Sequence, residues 1–135
     1  MDFTKAIKIQ DLVFGPSETF SDRQTWKKRN LYKIYYIDEI AFLAIEKRFD
    51  TFHIWLMAST KPNNGGKLFK QMSEDIKKEN IKKITVSTIP SKFTLMYQWL
   101  KRIGFVEYER FLIDGVIKVY LTIDCDQFCN YVQKY

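Results

Sequence analysis

The sequence predicts one α/β (α+β) domain with a central mixed, mostly antiparallel sheet flanked by helices, and three observations carry that prediction. Residues 32–37, 40–46 and 52–58 are rich in β-branched and aromatic side chains and separated only by short polar turns, which reads as an antiparallel meander. Two amphipathic stretches then alternate with one short β-rich stretch, so helices are interleaved with sheet. Last, Asp114-Gly115, a dipeptide suited to a tight type I′ turn, joins two further apolar strands. A chain of 135 residues has the size of one domain, and a composition 46% hydrophobic, 16% aromatic and 28% charged is that of a folded protein. A single domain is therefore expected over 1–135, with its core at about 31–124.

The elements follow in order. The first thirty residues carry the weakest pattern: Gly15-Pro16-Ser17 marks a break, and Ser21-Asp22 suits the cap of a short helix running through Trp26 to Arg29. The meander comes next, with turns at Asp38-Glu39 and 48–51. Lys61-Pro62-Asn63-Asn64-Gly65-Gly66-Lys67 is a loop by composition, after which Leu68, Phe69, Met72 and Ile76 recur at helical spacing and predict a helix over about 66–80. The run 84–89 is β-rich and closed by Pro90. Ser91 then stands where it can cap a helix with Phe93, Met96, Tyr97, Leu100 and Ile103 on one face, and Gly104 ends it. Strands over about 105–113 and 116–123 form the closing hairpin. Phe128, Val132 and Tyr135, again at helical spacing, predict a docking helix within 125–135. Because the earlier elements already close a sheet, its stripe is expected to meet a protein partner or a second copy of the chain.

Charge and cysteines narrow the function classes. The net charge is +6, with basic clusters at Lys27-Lys28-Arg29, Lys77-Lys78, Lys82-Lys83 and Lys101-Arg102. These read as solvated faces or as attraction to a polyanion, either nucleic acid or cofactor phosphates, and no recognition motif for nucleic acid accompanies them. No stretch approaches the length of an apolar membrane span and no targeting signal stands at Met1-Asp2-Phe3, so a cytoplasmic protein is expected. Cys125 and Cys129 are four apart, which suits neighbours on a helix better than a disulfide framework. With His53 the only histidine, no metal is expected.

The order of strands, glycine-bearing loop, helix, strand, helix ending in Gly-Phe and hairpin resembles the GCN5-related N-acetyltransferases over about 31–124. Asn63-Asn64-Gly65-Gly66-Lys67-Leu68 stands where that family carries its pyrophosphate loop. There, bare backbone and a helix N-terminus converge on phosphate. If Gly66 is the first motif glycine, Asn63 replaces an Arg or Gln and Leu68 replaces a small residue. The resemblance implies acetyl-CoA as cofactor and an amine as acceptor, of unknown identity. It implies pyrophosphate held by Asn63, Asn64, Gly65, Gly66 and Lys67, and pantetheine running along Leu56, Met57, Ala58 and Ser59, with Ser87 and Thr88 lining the channel. It further implies that the family's fourth and fifth strands, here 52–58 and 84–89, lie parallel, adjacent and splayed.

A second local match, Trp99-Leu100-Lys101-Arg102-Ile103-Gly104-Phe105, is similar to the segment in which a tyrosine four residues before Gly-Phe protonates the departing thiolate. Leu100 stands there, so the usual general acid is missing. Tyr97, one turn earlier, is a candidate replacement and equally a core aromatic. Glu46 and His53 are the candidate bases. Residues 95–124 also resemble degenerate acetyltransferase-like proteins of short-tailed bacteriophages, which implies a catalytically silent virion or assembly protein located within a phage particle. An acetyltransferase, a silent scaffold and a nucleic-acid-associated module remain as readings.

Overall fold

The computed structural model of the chain describes residues 1–15 and 19–134, with backbone alone at 19–23. Two helices, α1 (Thr4–Phe14) and α2 (Thr19–Lys28), precede the meander β1 (Leu31–Ile37), β2 (Ala41–Arg48) and β3 (Thr51–Ser59). Then come α3 (Gly65–Lys78), β4 (Lys83–Thr88), α4 (Thr94–Ile103), the hairpin β5 (Val106–Ile113) and β6 (Val116–Asp124), and α5 (Cys125–Val132). The strands form one six-stranded sheet in the order β1-β2-β3-β4-β6-β5. Among the described residues only β3 and β4 pair in parallel. They are the third and fourth strands here, not the fourth and fifth of the family's count, because the described residues before β1 are helical. At the hairpin, Asp114 (φ 50°) and Gly115 (φ 80°) both take the left-handed conformation that a type I′ turn demands.

Strand alternation divides the core between the two faces of the sheet. Leu43, Ile45, Phe52, Ile54, Ile84, Val86, Val119 and Leu121 point to one face, where Leu68, Phe69, Met72 and Ile76 of α3 and Leu100 and Ile103 of α4 meet them. Phe42, Ala44 and Ala58 point to the other, against Ala6, Ile7 and Ile9 of α1 and Trp26 of α2.

Four sequence expectations are corrected. Helix α1 went unseen because a polar residue, Gln10, occupies its buried face; Trp26 Nε1 donates to Gln10 Oε1 at 2.9 Å, so burial costs no unpaired group. Helix α2 starts at Thr19, ahead of the expected Ser21-Asp22 cap, whose side chains lie outside the described residues, as do Pro16 and Ser17 of the break. Ser91 is not the cap of α4: Lys92 and Phe93 N–H both donate to Ile89 O, forming a turn that delays the helix to Thr94. Phe93 consequently stays 39% exposed and meets Phe14 edge-on at 6.1 Å rather than joining the core. Finally, the apolar stripe of α5 packs on its own chain: Phe128 and Val132 are buried in the main core, and Phe128 lies 5.0 Å from the Phe69 ring of α3. That face is thus closed to the partner or second copy expected there, and Tyr135 lies outside the described residues.

Candidate functional site

The sheet opens between β3 and β4. Their parallel register runs from Thr51↔Lys83 to Ile54↔Val86 and stops, although β3 continues to Ser59 and β4 to Thr88. Trp55 explains the departure of β3: it is an extra residue against β2, where Ala44 faces Leu56 and Ile45 faces Ile54, and such a bulge bends its strand. Leu56, Met57, Ala58 and Ser59 therefore pair with β2 alone, while Ser87 and Thr88 pair with Tyr120 and Val119 of β6. The strand edges facing each other above Ile54 and Val86 are left without a ladder.

The loop from β3 to α3 comes out of this opening. Asn63 takes the left-handed conformation (φ 65°), and the buried Asn64 turns its amide back to Ser59 Oγ at 3.3 Å and Lys61 O at 3.2 Å. With Asn64 so engaged, no side chain caps α3, and no acidic residue stands in its first turn. The N–H groups of Gly65, Gly66 and Lys67 and the positive end of the helix dipole thus suit an anion. Gly65 itself answers to packing. A Cβ there would stand 2.6 Å from Trp99 Cη2 of α4.

Glu46 and His53, seven residues apart on consecutive strands, face each other across β2 and β3. Glu46 is buried, and its Oε1 is shared by Arg48 at 2.9 Å and Arg29 at 3.7 Å. His53 Nδ1 and Thr85 Oγ1 of β4 share a hydrogen bond of 2.8 Å. Burial, reinforced by Arg48 and opposed by Glu46, holds the imidazole pKa down at about 4. In an NMR titration the ring should accordingly remain neutral until about pH 4. Because an unfolded histidine protonates near 6.5, the unfolded chain takes up the proton first. Stability should then fall as pH drops from 6.5 toward 4, and His53→Gln should remove that part of the slope. A ring titrating near 6.5 would refute the assignment.

On the other face, Tyr97 OH donates to Glu107 Oε2 of β5 at 3.2 Å, two strands across from the opening, and Arg110 holds the same carboxylate through two hydrogen bonds. Burial pattern and hydrogen bond both give this ring to the α4–β5 junction. Leu100 is fully inside the core. Sequence reasoning missed Trp99, which stacks on Phe69 at 5.0 Å and covers the first turn of α3. It also missed Arg29 and Arg48 on Glu46, and Thr85 on His53. The signal for Thr85 was its place between Ile84 and Val86, which fixes its face once both strands are paired. Nothing local marked the others.

A hollow of about 560 Å³ lined by Ile76, Lys77, Lys82, Cys125 and Cys129 lies at the opposite end of α3, away from the opening. Both cysteines are free thiols. Among the described residues no helix is long and apolar enough to cross a membrane, and no three ligating side chains gather.

No family model matches the sequence, and no curated protein matches it. Solved structures do. The ribosomal-protein-S18-alanine N-acetyltransferase of Escherichia coli superposes with TM-score 0.67 at 11% identity, over 92% of this chain and 88% of that one. Aminoglycoside 6'-acetyltransferase type Ii gives 0.69 at 6% identity over 90% and 88%. A chain of the NatC complex bound to Gag peptide and CoA gives 0.61 at 14% over 90% and 89%. These superpositions span most of both chains at identities that leave little but backbone in common: the chain has the fold of the GCN5-related N-acetyltransferases.

Proposed function

We infer that the chain is an acetyl-CoA-dependent N-acetyltransferase-like protein acting on an amine acceptor. One observation carries the reading: the uncapped, glycine-bearing N-terminus of α3 stands beside the unpaired edges of β3 and β4. The residues fit the cofactor. The N–H groups of Gly65, Gly66 and Lys67, with Asn63, Asn64 and the exposed Lys67 side chain around them, would take the pyrophosphate. The free edge at Leu56, Met57, Ala58 and Ser59 would hydrogen-bond the pantetheine amides, with Ser87 and Thr88 opposite. Acetyl coenzyme A, when bound, supplies a thioester whose acyl carbon an uncharged amine can attack, with the thiol as leaving group.

The chain's own contribution is positioning more than proton transfer. Glu46 is neutralised by two arginines, and an imidazole with a pKa near 4 holds a proton weakly, so neither is tuned as a base for an ammonium group. Holding amine and thioester together still supplies much of the rate. A second reading, a catalytically silent protein of the bacteriophage assembly type that residues 95–124 resemble, is favoured by Leu100, which puts a buried alkyl group where a hydroxyl acid would stand.

Calorimetric titration with acetyl-CoA tests both. Micromolar binding that Gly66→Val removes, with an unchanged circular dichroism spectrum, is the expected result, because a branched side chain at this buried glycine obstructs the approach of phosphate. Turnover of an amine panel then separates enzyme from silent binder. No heat at millimolar acetyl-CoA would overturn the cofactor assignment.

A further inference from the structure

The face of β4, β6 and β5 turned away from α3, α4 and α5 is built differently from the rest of the sheet. Ile84, Val86, Val119 and Leu121 point to the helices, so Lys83, Thr85, Ser87, Lys118, Tyr120 and Thr122 point the other way. Among the described residues, the hydrophobic cluster on that other side draws on Phe3, α1, α2 and the first three strands. Beyond it the surface carries rings. Tyr120 lies 6.3 Å from Tyr108 and meets Phe111 edge-on at 5.7 Å, and Tyr108 and Phe111 are 51% and 47% exposed. Cations frame the rings. Lys118 Nζ sits 5.6 Å from the Tyr120 centroid, Arg48 is near enough to act on both Tyr108 and His53, and Lys83 stands at the start of β4. Of the carboxylates on this face, Glu46 is already shared by two arginines, Asp124 is opposite Lys83, and Glu109 lies on the outer strand.

We propose that this open face binds single-stranded nucleic acid, with unpaired bases stacking on Tyr108 and Phe111 and backbone phosphates meeting Lys118, Arg48 and Lys83. Single exposed aromatics are ordinary, but two exposed rings flanking Tyr120 on a strand surface, with cations beside them, supply both halves of single-strand recognition. Ring faces accept any base, and lysine and arginine neutralise phosphate in a chain whose net charge is +6. A duplex hides its base faces and suits the surface less. An acidic peptide matches the charge but offers no succession of flat rings.

Fluorescence anisotropy with labelled oligothymidine and oligouridine of about 12 nucleotides, titrated with the intact chain, tests the proposal. Expected is micromolar binding at about 50 mM salt that weakens ~10-fold or more by about 200 mM, with a duplex of equal length bound ~10-fold less well. Tyr108→Ala combined with Phe111→Ala should weaken binding ~10-fold or more with dichroism and melting temperature retained. Lys118→Ala should flatten the salt dependence. Absence of binding at low salt, equal binding of duplex, or affinity indifferent to loss of the rings would overturn the proposal. Displacement by stoichiometric coenzyme A would overturn it too, by putting the oligonucleotide at the β3–β4 opening. Equal displacement by an oligoglutamate of matched charge would show a face for acidic proteins instead.

Discussion

Replacing Phe128 with alanine should cost about 3–5 kcal/mol and lower the melting temperature on the order of 10 °C, while the sedimentation mass of the full chain stays the same. Phe128 is fully buried, 5.0 Å from Phe69, whose ring lies between Phe128, Trp99 at 5.0 Å and Phe105 at 6.5 Å. Removing it opens a cavity between α3 and α5, and the Phe69 ring loses one of its packing partners. Deleting 125–135 should cost more, since Cys125 and Val132 leave the core as well. Retained stability with a change in sedimentation would refute this and return α5 to the role of a partner-binding element.

Gly65→Ala should destabilise the domain by about 1–3 kcal/mol even though alanine is the better helix former. The new Cβ would stand 2.6 Å from Trp99 Cη2, and Trp99 cannot swing aside without losing its stack on Phe69. In a Trp99→Phe background the smaller ring relieves the clash, so the same substitution should be neutral or stabilising. The sign reversal, read by chemical denaturation in a double-mutant cycle, is the check; equal costs in both backgrounds would mean that Trp99 is not what requires the glycine.

Much of the architecture could be read along the chain because it rests on local rules. The β-branched and aromatic runs of β1 to β3, the 3.6-residue stripe of Leu68, Phe69, Met72 and Ile76, the Gly104 stop and the Asp114-Gly115 turn each depend on neighbours a few residues away. Helix α1 escaped the same reading because its buried Gln10 is satisfied by Trp26, sixteen residues distant. The candidate site divides in the same way. The turn and helix start from Asn63 to Lys67 were legible from composition, yet the packing of Gly65 depends on Trp99, brought in by another helix.

The sequence by itself determined the types and order of the elements from β1 onward and the absence of a hydroxyl at position 100. Only the tertiary structure decided that Trp55 bends β3 away from β4, that Glu46 meets two arginines, that burial and Arg48 keep His53 uncharged, and that Phe128 docks on its own core. Propensity and periodicity act over a few residues and are written locally. Register, desolvation and charge pairing depend on which strands and helices become neighbours, which no single segment specifies.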